Sequence, residues 1–195
     1  MNRKFANFIS TLGHPFVTIP LFIIYVLFSF EEFQKALGTS AIIIGGMFIP
    51  LAIKTYHGTK KGQYTNLDVS NQRQRQRWYL AAIILLAFVL AALFLTDQSR
   101  TLRLNAVYAF LLLLTAQLMN FYIKSSMHTA YNVFLTLLIL PMSLTFAIGY
   151  AAFVILIAWS RLVLKRHTLN EVIAGALIGL SWGLISFFTV DGFGL

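Results

Sequence analysis

Long apolar stretches alternate with short polar segments along the whole chain of 195 residues. A helix that spans a membrane needs roughly 17 to 25 mainly apolar residues, and oblique or partly buried helices can be shorter. The pattern predicts about seven such helices, over approximately Phe16–Phe30, Gly38–Ile53, Tyr79–Leu95, Leu104–Ile123, Thr129–Leu140, Ser143–Trp159 and Leu169–Thr189. The sequence therefore predicts an all-α fold, a polytopic membrane helix bundle of about six to seven transmembrane helices that forms a single domain over residues 1–195.

The segment around Pro141 has two interpretations. As one helix, residues 129–159 would rise roughly 46 Å over about 31 residues, well beyond one hydrocarbon core. Two short helices joined by a tight hairpin fit the membrane better. The one long polar segment, Tyr56–Arg77, is predicted as a loop between the second and third helices.

Composition agrees with a membrane environment, because 58% of the residues are apolar, only 11% are charged, and the mean hydropathy is +0.77. The chain contains no cysteine, which excludes disulfides, thiolate nucleophiles and cysteine metal sites. Apolar stretches continue to residue 190, so no cleaved secretory signal is indicated.

Basic residues and histidines gather on one predicted face of the membrane. Because each hairpin contains two spans, alternate connections lie on the same side, and these are the N-terminal segment with His14, Tyr56–Arg77, Lys124–His128 and Ser160–His167. Of the 15 lysines and arginines, only Lys35, Arg100 and Arg103 lie opposite. The positive-inside rule accounts for such a charge bias. A binding site for a polyanion accounts for the histidines and serines as well.

The segment Ser160–Glu171 places eight polar side chains beside hydrocarbon. If the last helix starts near His167, Glu171 lies one turn further on and accepts a hydrogen bond from the imidazole. A neutral imidazole held in this way is a nucleophile toward phosphorus, and Arg161 would neutralise charge on the phosphoryl oxygens. The alternative is a structural His–Glu pair beside snorkelling basic residues.

A second polar cluster, Lys124–Ala130, lies where the fifth helix begins. The N–H groups of a helix start attract phosphate, and Lys124 and Ser126 add further donors. His128 is placed to protonate a leaving alkoxide as a general acid. The alternative is ordinary helix capping by serine or threonine.

Together, the two clusters resemble the type 2 phosphatidic acid phosphatase superfamily, which also includes the vanadium haloperoxidases. The third signature of that superfamily is Ser-Arg, five residues, His, three residues, Asp. Ser160, Arg161 and His167 match it, and Glu171 replaces the aspartate. The second signature, Pro-Ser-Gly-His, corresponds to residues 125–128, where only its serine and histidine are kept.

The first signature, a lysine followed after six residues by Arg-Pro, is absent, and the basic 56–77 segment takes its place. This segment is similar to the looser version in small bacterial members. The resemblance, which covers roughly residues 54–190, assigns phosphate binding to Lys61 and Arg75, with Arg73 as a substitute. The alternative is a solvated basic loop that lies along the membrane surface.

The resemblance implies a lipid phosphatase of the bacterial cytoplasmic membrane that uses no metal and no cofactor. His167 would form a phosphohistidine, His128 would act as the acid, and Glu171 would orient His167. Its substrate would be a phosphatidic acid, a phosphatidylglycerophosphate, a polyprenyl pyrophosphate or a lipid A phosphate. The alternative function is non-catalytic binding or translocation of lipid phosphates.

Two other classes of site, a metal site and a nucleic-acid site, are less consistent with the sequence than a phosphate site. A metal site built on histidines lacks acids, because Asp68 and Glu171 are the only carboxylates on the basic face. Nucleic acid is not an expected partner, since the chain offers no soluble module to bind it and membrane lipids would compete for the same cations. His14 precedes Pro15 and is predicted to cap and kink the first helix. The alternative is that His14 reaches the same pocket as the two polar clusters.

Overall fold

Helices make up the regular structure throughout residues 2–190, the part of the chain that the computed structural model describes. The helices are α1 (Arg3–Leu12), α2 (Pro15–Phe30), α3 (Phe33–Ser40), a π-helical segment (Ala41–Phe48), α4 (Ile49–Lys60), α5 (Gln72–Leu95), α6 (Arg100–Met119), α7 (Met127–Ile139), α8 (Leu144–Val163) and α9 (Leu169–Thr189). No strand occurs within residues 2–190, and the predicted all-α helix bundle is confirmed.

Among the described residues, five helical stretches are long and apolar enough to cross a membrane. They are Phe33–Lys60, α5, α6, α8 and α9, and the pair α1–α2, bent by 43°, would be a sixth. All seven predicted apolar segments are helical, but α7 has only 13 residues. It rises about 20 Å, less than the ~30 Å hydrocarbon core, and so is too short to span it alone.

The predicted 56–77 loop is too long. Helix α4 continues to Lys60 and α5 begins at Gln72, which leaves only residues 61–71 between them. The Asn71 side chain starts α5 by accepting hydrogen bonds from the backbone N–H groups of Arg73 (3.0 Å) and Gln74 (3.2 Å). Glutamine and arginine favour helices, so the polar residues after this cap extend the helix.

The predicted bounds of the last helix, Leu169–Thr189, are confirmed. Two further predicted helix ends are wrong, and the first is that of α6, which ends at Met119 and not at Ile123. Helix α8 does not end at Trp159 but continues to Val163, so Ser160 and Arg161 belong to its last turns. The Ser160 hydroxyl donates to the Ile157 carbonyl oxygen at 2.6 Å, which satisfies this polar group inside the helix. Helix α9 begins at Leu169, because Thr168 caps it.

The chain folds into two compact units. The second unit, Pro20–Asn120, contains the remainder of α2 and the helices up to α6, with α5 packed on the π-helical segment and on α6. Within it, the Trp78 Nε1 donates to the Thr55 hydroxyl at 2.9 Å, which joins α5 to α4.

The first unit combines Met1–Ile19 with Phe121–Leu195, and in it α7 packs on both α8 and α9 while α1 packs on α8. Glycines allow α9 to approach α7 closely. A Cβ added at Gly175 would overlap the carbonyl oxygen of Ser126, and one at Gly179 would overlap that of Ala130. Small residues four positions apart are typical of tightly packed membrane helices. This contact brings the starts of α7 and α9 together.

Candidate active site

The turn between α8 and α9 has the hydrogen bonds of a Schellman motif. Arg166 N donates to the Arg161 carbonyl oxygen at 3.0 Å, and Lys165 N donates to that of Leu162 at 3.0 Å. Lys165 has φ +54°, the left-handed conformation that this motif requires and that usually selects glycine. The sharp end of α8 places His167 immediately before the cap of α9.

His167 is held by Glu171, as the sequence predicts. Its Nδ1 lies 2.8 Å from Glu171 Oε2, and its side chain is only 5% exposed. If the imidazole is neutral and donates from Nδ1 to this carboxylate oxygen, its lone pair lies on Nε2. This tautomer is the one that nucleophilic attack by Nε2 requires.

Glu171 also completes the cap of α9. Its Oε2 accepts a hydrogen bond from the backbone N–H of Thr168 at 3.2 Å, and the Thr168 hydroxyl accepts one from the N–H of Glu171 at 3.4 Å. This reciprocal arrangement is a capping box, in which the longer side chain of glutamate reaches back to the cap residue. One carboxylate oxygen therefore serves both the helix start and His167.

The two predicted polar clusters meet at Glu171. The backbone N–H of Ser126 donates to the Glu171 carbonyl oxygen at 2.9 Å. The Lys124 ammonium donates to the Arg166 carbonyl oxygen at 3.1 Å and lies 3.6 Å from Glu171 Oε2. The fully buried Ser126 caps α7 by accepting from Thr129 N at 3.4 Å. Lys124 and Ser126 thus join the start of α7 to the α8–α9 turn.

His128 lies in the first turn of α7 and is 5% exposed. Its ring faces that of His14 nearly at a right angle, with 4.8 Å between the centroids. His14 Nδ1 accepts a hydrogen bond from the backbone N–H of Phe16 at 3.1 Å, so the predicted capping role of His14 is confirmed. The contact between the two imidazoles also places His14 beside His128, as the alternative interpretation of His14 expects.

Asn132 lies one turn after His128 on α7 and hydrogen-bonds to the backbone of His128. Its Nδ2 donates to the carbonyl oxygens of His128 (2.6 Å) and Gly13 (2.9 Å), while its Oδ1 accepts from the Tyr150 hydroxyl at 2.5 Å. Sequence reasoning missed this residue. A fully buried amide within an apolar helix is the signal that identifies it.

Arg161 is the largest of the fully buried side chains, with 1% of its surface exposed. Its Nη1 donates to the hydroxyl of Ser10, on α1, at 2.6 Å. In such a low-dielectric environment, a guanidinium attracts phosphate oxygens more strongly than it does in water. Ser10 lies outside the signature segments, and nothing in its local sequence indicates the contact.

The three basic residues of the 56–77 segment that were predicted to bind phosphate have different environments within the second unit. Lys61, in the segment between α4 and α5, and Arg73, in the first turn of α5, are both exposed. Arg75 is 5% exposed, and its guanidinium carbon lies 5.6 Å from the centroid of the Tyr79 ring. Tyr64 packs against Gly58 within the same segment, and burial raises the pKa of the Tyr64 hydroxyl. Phosphate binding by these three cations stays a prediction.

Comparison with protein-family models, curated proteins and solved structures finds no match to this chain. Function is therefore argued from the residues of the site and their geometry.

Proposed function

We propose that the first unit is a metal-independent lipid phosphatase in which His167 accepts the phosphoryl group. The hydrogen bond of 2.8 Å between His167 Nδ1 and Glu171 Oε2 is the main support for this proposal. It gives the imidazole a fixed orientation and an Nε2 lone pair, which a nucleophile requires. The proposed location is the bacterial cytoplasmic membrane, where a lipid substrate reaches the site by lateral diffusion.

In the proposed reaction, His167 Nε2 attacks phosphorus and the bond between phosphorus and the lipid oxygen breaks. The leaving alkoxide takes a proton from the His128 imidazolium. Water then attacks the phosphohistidine, His128 takes a proton from that water, and the bond between phosphorus and Nε2 breaks. Inorganic phosphate leaves, and both histidines return to their initial states.

The cations of the site would bind the phosphate and stabilise the transition state. The buried guanidinium of Arg161 is aligned by Ser10, so little reorganisation is needed when charge develops on the phosphoryl oxygens. Lys124 lies at the same turn as His167, held by the Arg166 carbonyl oxygen. Positioning and electrostatics supply most of the catalysis in phosphoryl transfer.

The test is phosphate release from radiolabelled phosphatidic acid in detergent containing EDTA. We compare the wild type with His167→Ala and with His57→Ala, a matched control at an exposed histidine of the second unit. The wild type and His57→Ala should release phosphate, whereas His167→Ala should be slower by about 1,000-fold or more. A protein-bound label that is stable in alkali and labile in acid should form in the wild type and not in His167→Ala.

Two results would contradict the proposal. If the wild type binds phosphatidic acid, phosphatidylglycerophosphate, polyprenyl pyrophosphate and lipid A phosphates but hydrolyses none of them, the site is a non-catalytic lipid-phosphate binder. If EDTA abolishes release and a divalent cation restores it, the reaction depends on a metal.

A further inference from the structure

A groove of about 470 Å³ lies along the first half of α8. Its lining residues, all on or just before this helix, are Ser143, Thr145, Phe146, Gly149, Tyr150 and Phe153. Helix α8 is among the helices long and apolar enough to cross a membrane. The groove therefore opens to hydrocarbon, and its volume is within the range of ligand-binding pockets.

Gly149 keeps the groove open. A Cβ added at this residue would meet nothing within 4 Å, whereas the glycines of α9 are in direct contact with α7. Glycine destabilises a helix interior, so packing within the chain does not explain its presence here. Its neighbour Phe146 is 58% exposed and forms a wall beside the space. The space over Gly149 is thus shaped for a group from outside the chain.

Hydrogen bonds connect this groove to the candidate active site. The Tyr150 hydroxyl, on the groove, donates to Asn132 Oδ1 at 2.5 Å, and Asn132 Nδ2 donates to the His128 carbonyl oxygen at 2.6 Å. Tyr150, which lines the groove, is therefore linked through one amide to the backbone of His128, the proposed general acid.

The length of α8 matches a lipid chain. Gly149 and Arg161 lie on this one helix, about 18 Å apart at 1.5 Å per residue. One leaflet provides about 15 Å, half of the ~30 Å hydrocarbon core. A lipid whose phosphate lies at Arg161 and whose chain follows α8 would place the end of that chain at the level of Gly149 along the helix axis.

We propose that the groove over Gly149 binds an acyl chain of the lipid phosphate and makes the site selective for long chains. The identity of the head group rests on the proposed function, whereas the binding of the chain is tested separately.

The first test compares dipalmitoyl with dihexanoyl phosphatidic acid as substrates. Gly149→Leu places a larger side chain at the groove, where a Cβ meets nothing within 4 Å. Gly45→Leu is the matched control, because a Cβ at Gly45 also meets nothing within 4 Å and Gly45 does not line the groove. Gly149→Leu should lower kcat/KM for the dipalmitoyl substrate by about tenfold and leave the dihexanoyl substrate unchanged. Gly45→Leu should change neither. Equal effects on both substrates would overturn the inference.

The second test does not depend on turnover. Phosphatidic acid with a diazirine near the end of one palmitoyl chain is photoactivated in detergent, and the labelled peptides are mapped by mass spectrometry. Label should appear within residues 143–153 of the wild type and of Gly45→Leu, and it should be lost in Gly149→Leu. If label appears within residues 143–153 while no phosphate is released, the phosphatase proposal fails and the proposal that the groove binds an acyl chain is upheld. If phosphate is released and residues 143–153 carry no label, or Gly149→Leu is labelled equally, the groove proposal fails.

Discussion

Replacement of Gly175 by alanine tests whether the close contact of α9 with α7 sets the geometry of the candidate site. The new Cβ would overlap the Ser126 carbonyl oxygen and lie 3.1 Å from both the C and N atoms of that residue. These are backbone atoms of the α7 cap, and Ser126 N also donates to the Glu171 carbonyl oxygen at 2.9 Å. Because backbone atoms cannot rotate away as a side chain does, the two helices must separate.

The expected size of the effect follows from this contact. Non-bonded carbon atoms pack at about 3.5 to 4.0 Å, so the helices would move apart by roughly 0.5 to 1 Å. Overpacking of this kind costs about 1 to 3 kcal/mol, and the better helix propensity of alanine offsets about 1 kcal/mol of it. The free energy of unfolding should thus fall by only about 0 to 2 kcal/mol. A displacement of about 1 Å between catalytic groups lowers the rate roughly 100-fold.

The assay measures phosphate release from phosphatidic acid together with thermal unfolding in detergent. Gly183→Ala is the matched control, two turns away from Gly175 on the same helix. Its nearest contacts would be side-chain atoms of Leu137 and not backbone atoms, with Cδ1 at 2.5 Å, Cβ at 3.0 Å and Cγ at 3.2 Å. Gly175→Ala should stay folded and lose about 100-fold in release, while Gly183→Ala keeps wild-type release. Wild-type release by Gly175→Ala would refute the reasoning, and equal losses in both variants would indicate a general packing effect.

Three further predictions concern the polar contacts of the first unit. Glu171→Gln keeps the shape of the side chain but no longer fixes the proton on His167 Nδ1, so release should fall at least about 100-fold with helix content unchanged by circular dichroism; unchanged release would exclude the orienting role. Ser10→Ala removes the acceptor of Arg161 Nη1, and the melting temperature should fall by the equivalent of about 1 to 3 kcal/mol, whereas Ser10→Thr should restore it. Lys165→Gly relieves the left-handed backbone and should raise stability by about 0.5 to 1 kcal/mol; a lower melting temperature would contradict the turn geometry.

Hydropathy predicted the helices because a membrane-spanning helix has a strong signal in length and apolar content. Helix ends depend instead on single side chains that cap the backbone. Asn71 starts α5 before the hydropathy boundary, and α8 continues past Trp159 to Val163, which is why the 56–77 loop and the end of α8 were misplaced. The start of α9 at Leu169 was predicted correctly, because there the cap and the hydropathy boundary coincide. The bond between His167 and Glu171 was predictable because residues four apart in or beside a helix are neighbours.

Contacts between distant segments were not predictable from local patterns. Ser10 and Arg161 are 151 positions apart, and only the packing of α1 on α8 brings them together. The contact of His14 with His128 has the same origin. The glycines of α9 carried a visible signal in their spacing of four, because a regular stripe of small residues marks a close helix contact. The partner helix, α7, became known only from the structure.

Glu171 stands where the third signature of the superfamily that the sequence resembles has aspartate, and the cap of α9 gives a physical reason for a glutamate at this position. The side chain must reach back to the backbone N–H of Thr168, which the additional methylene of glutamate permits. The same oxygen still lies 2.8 Å from His167 Nδ1, a distance typical of a charge-assisted hydrogen bond. The structural and catalytic interpretations of this residue are therefore compatible. The two interpretations differ in what they require of the Glu171 side chain. A cap needs only a hydrogen-bond acceptor of the right length, whereas a histidine that is oriented as a nucleophile needs the negative charge of the carboxylate.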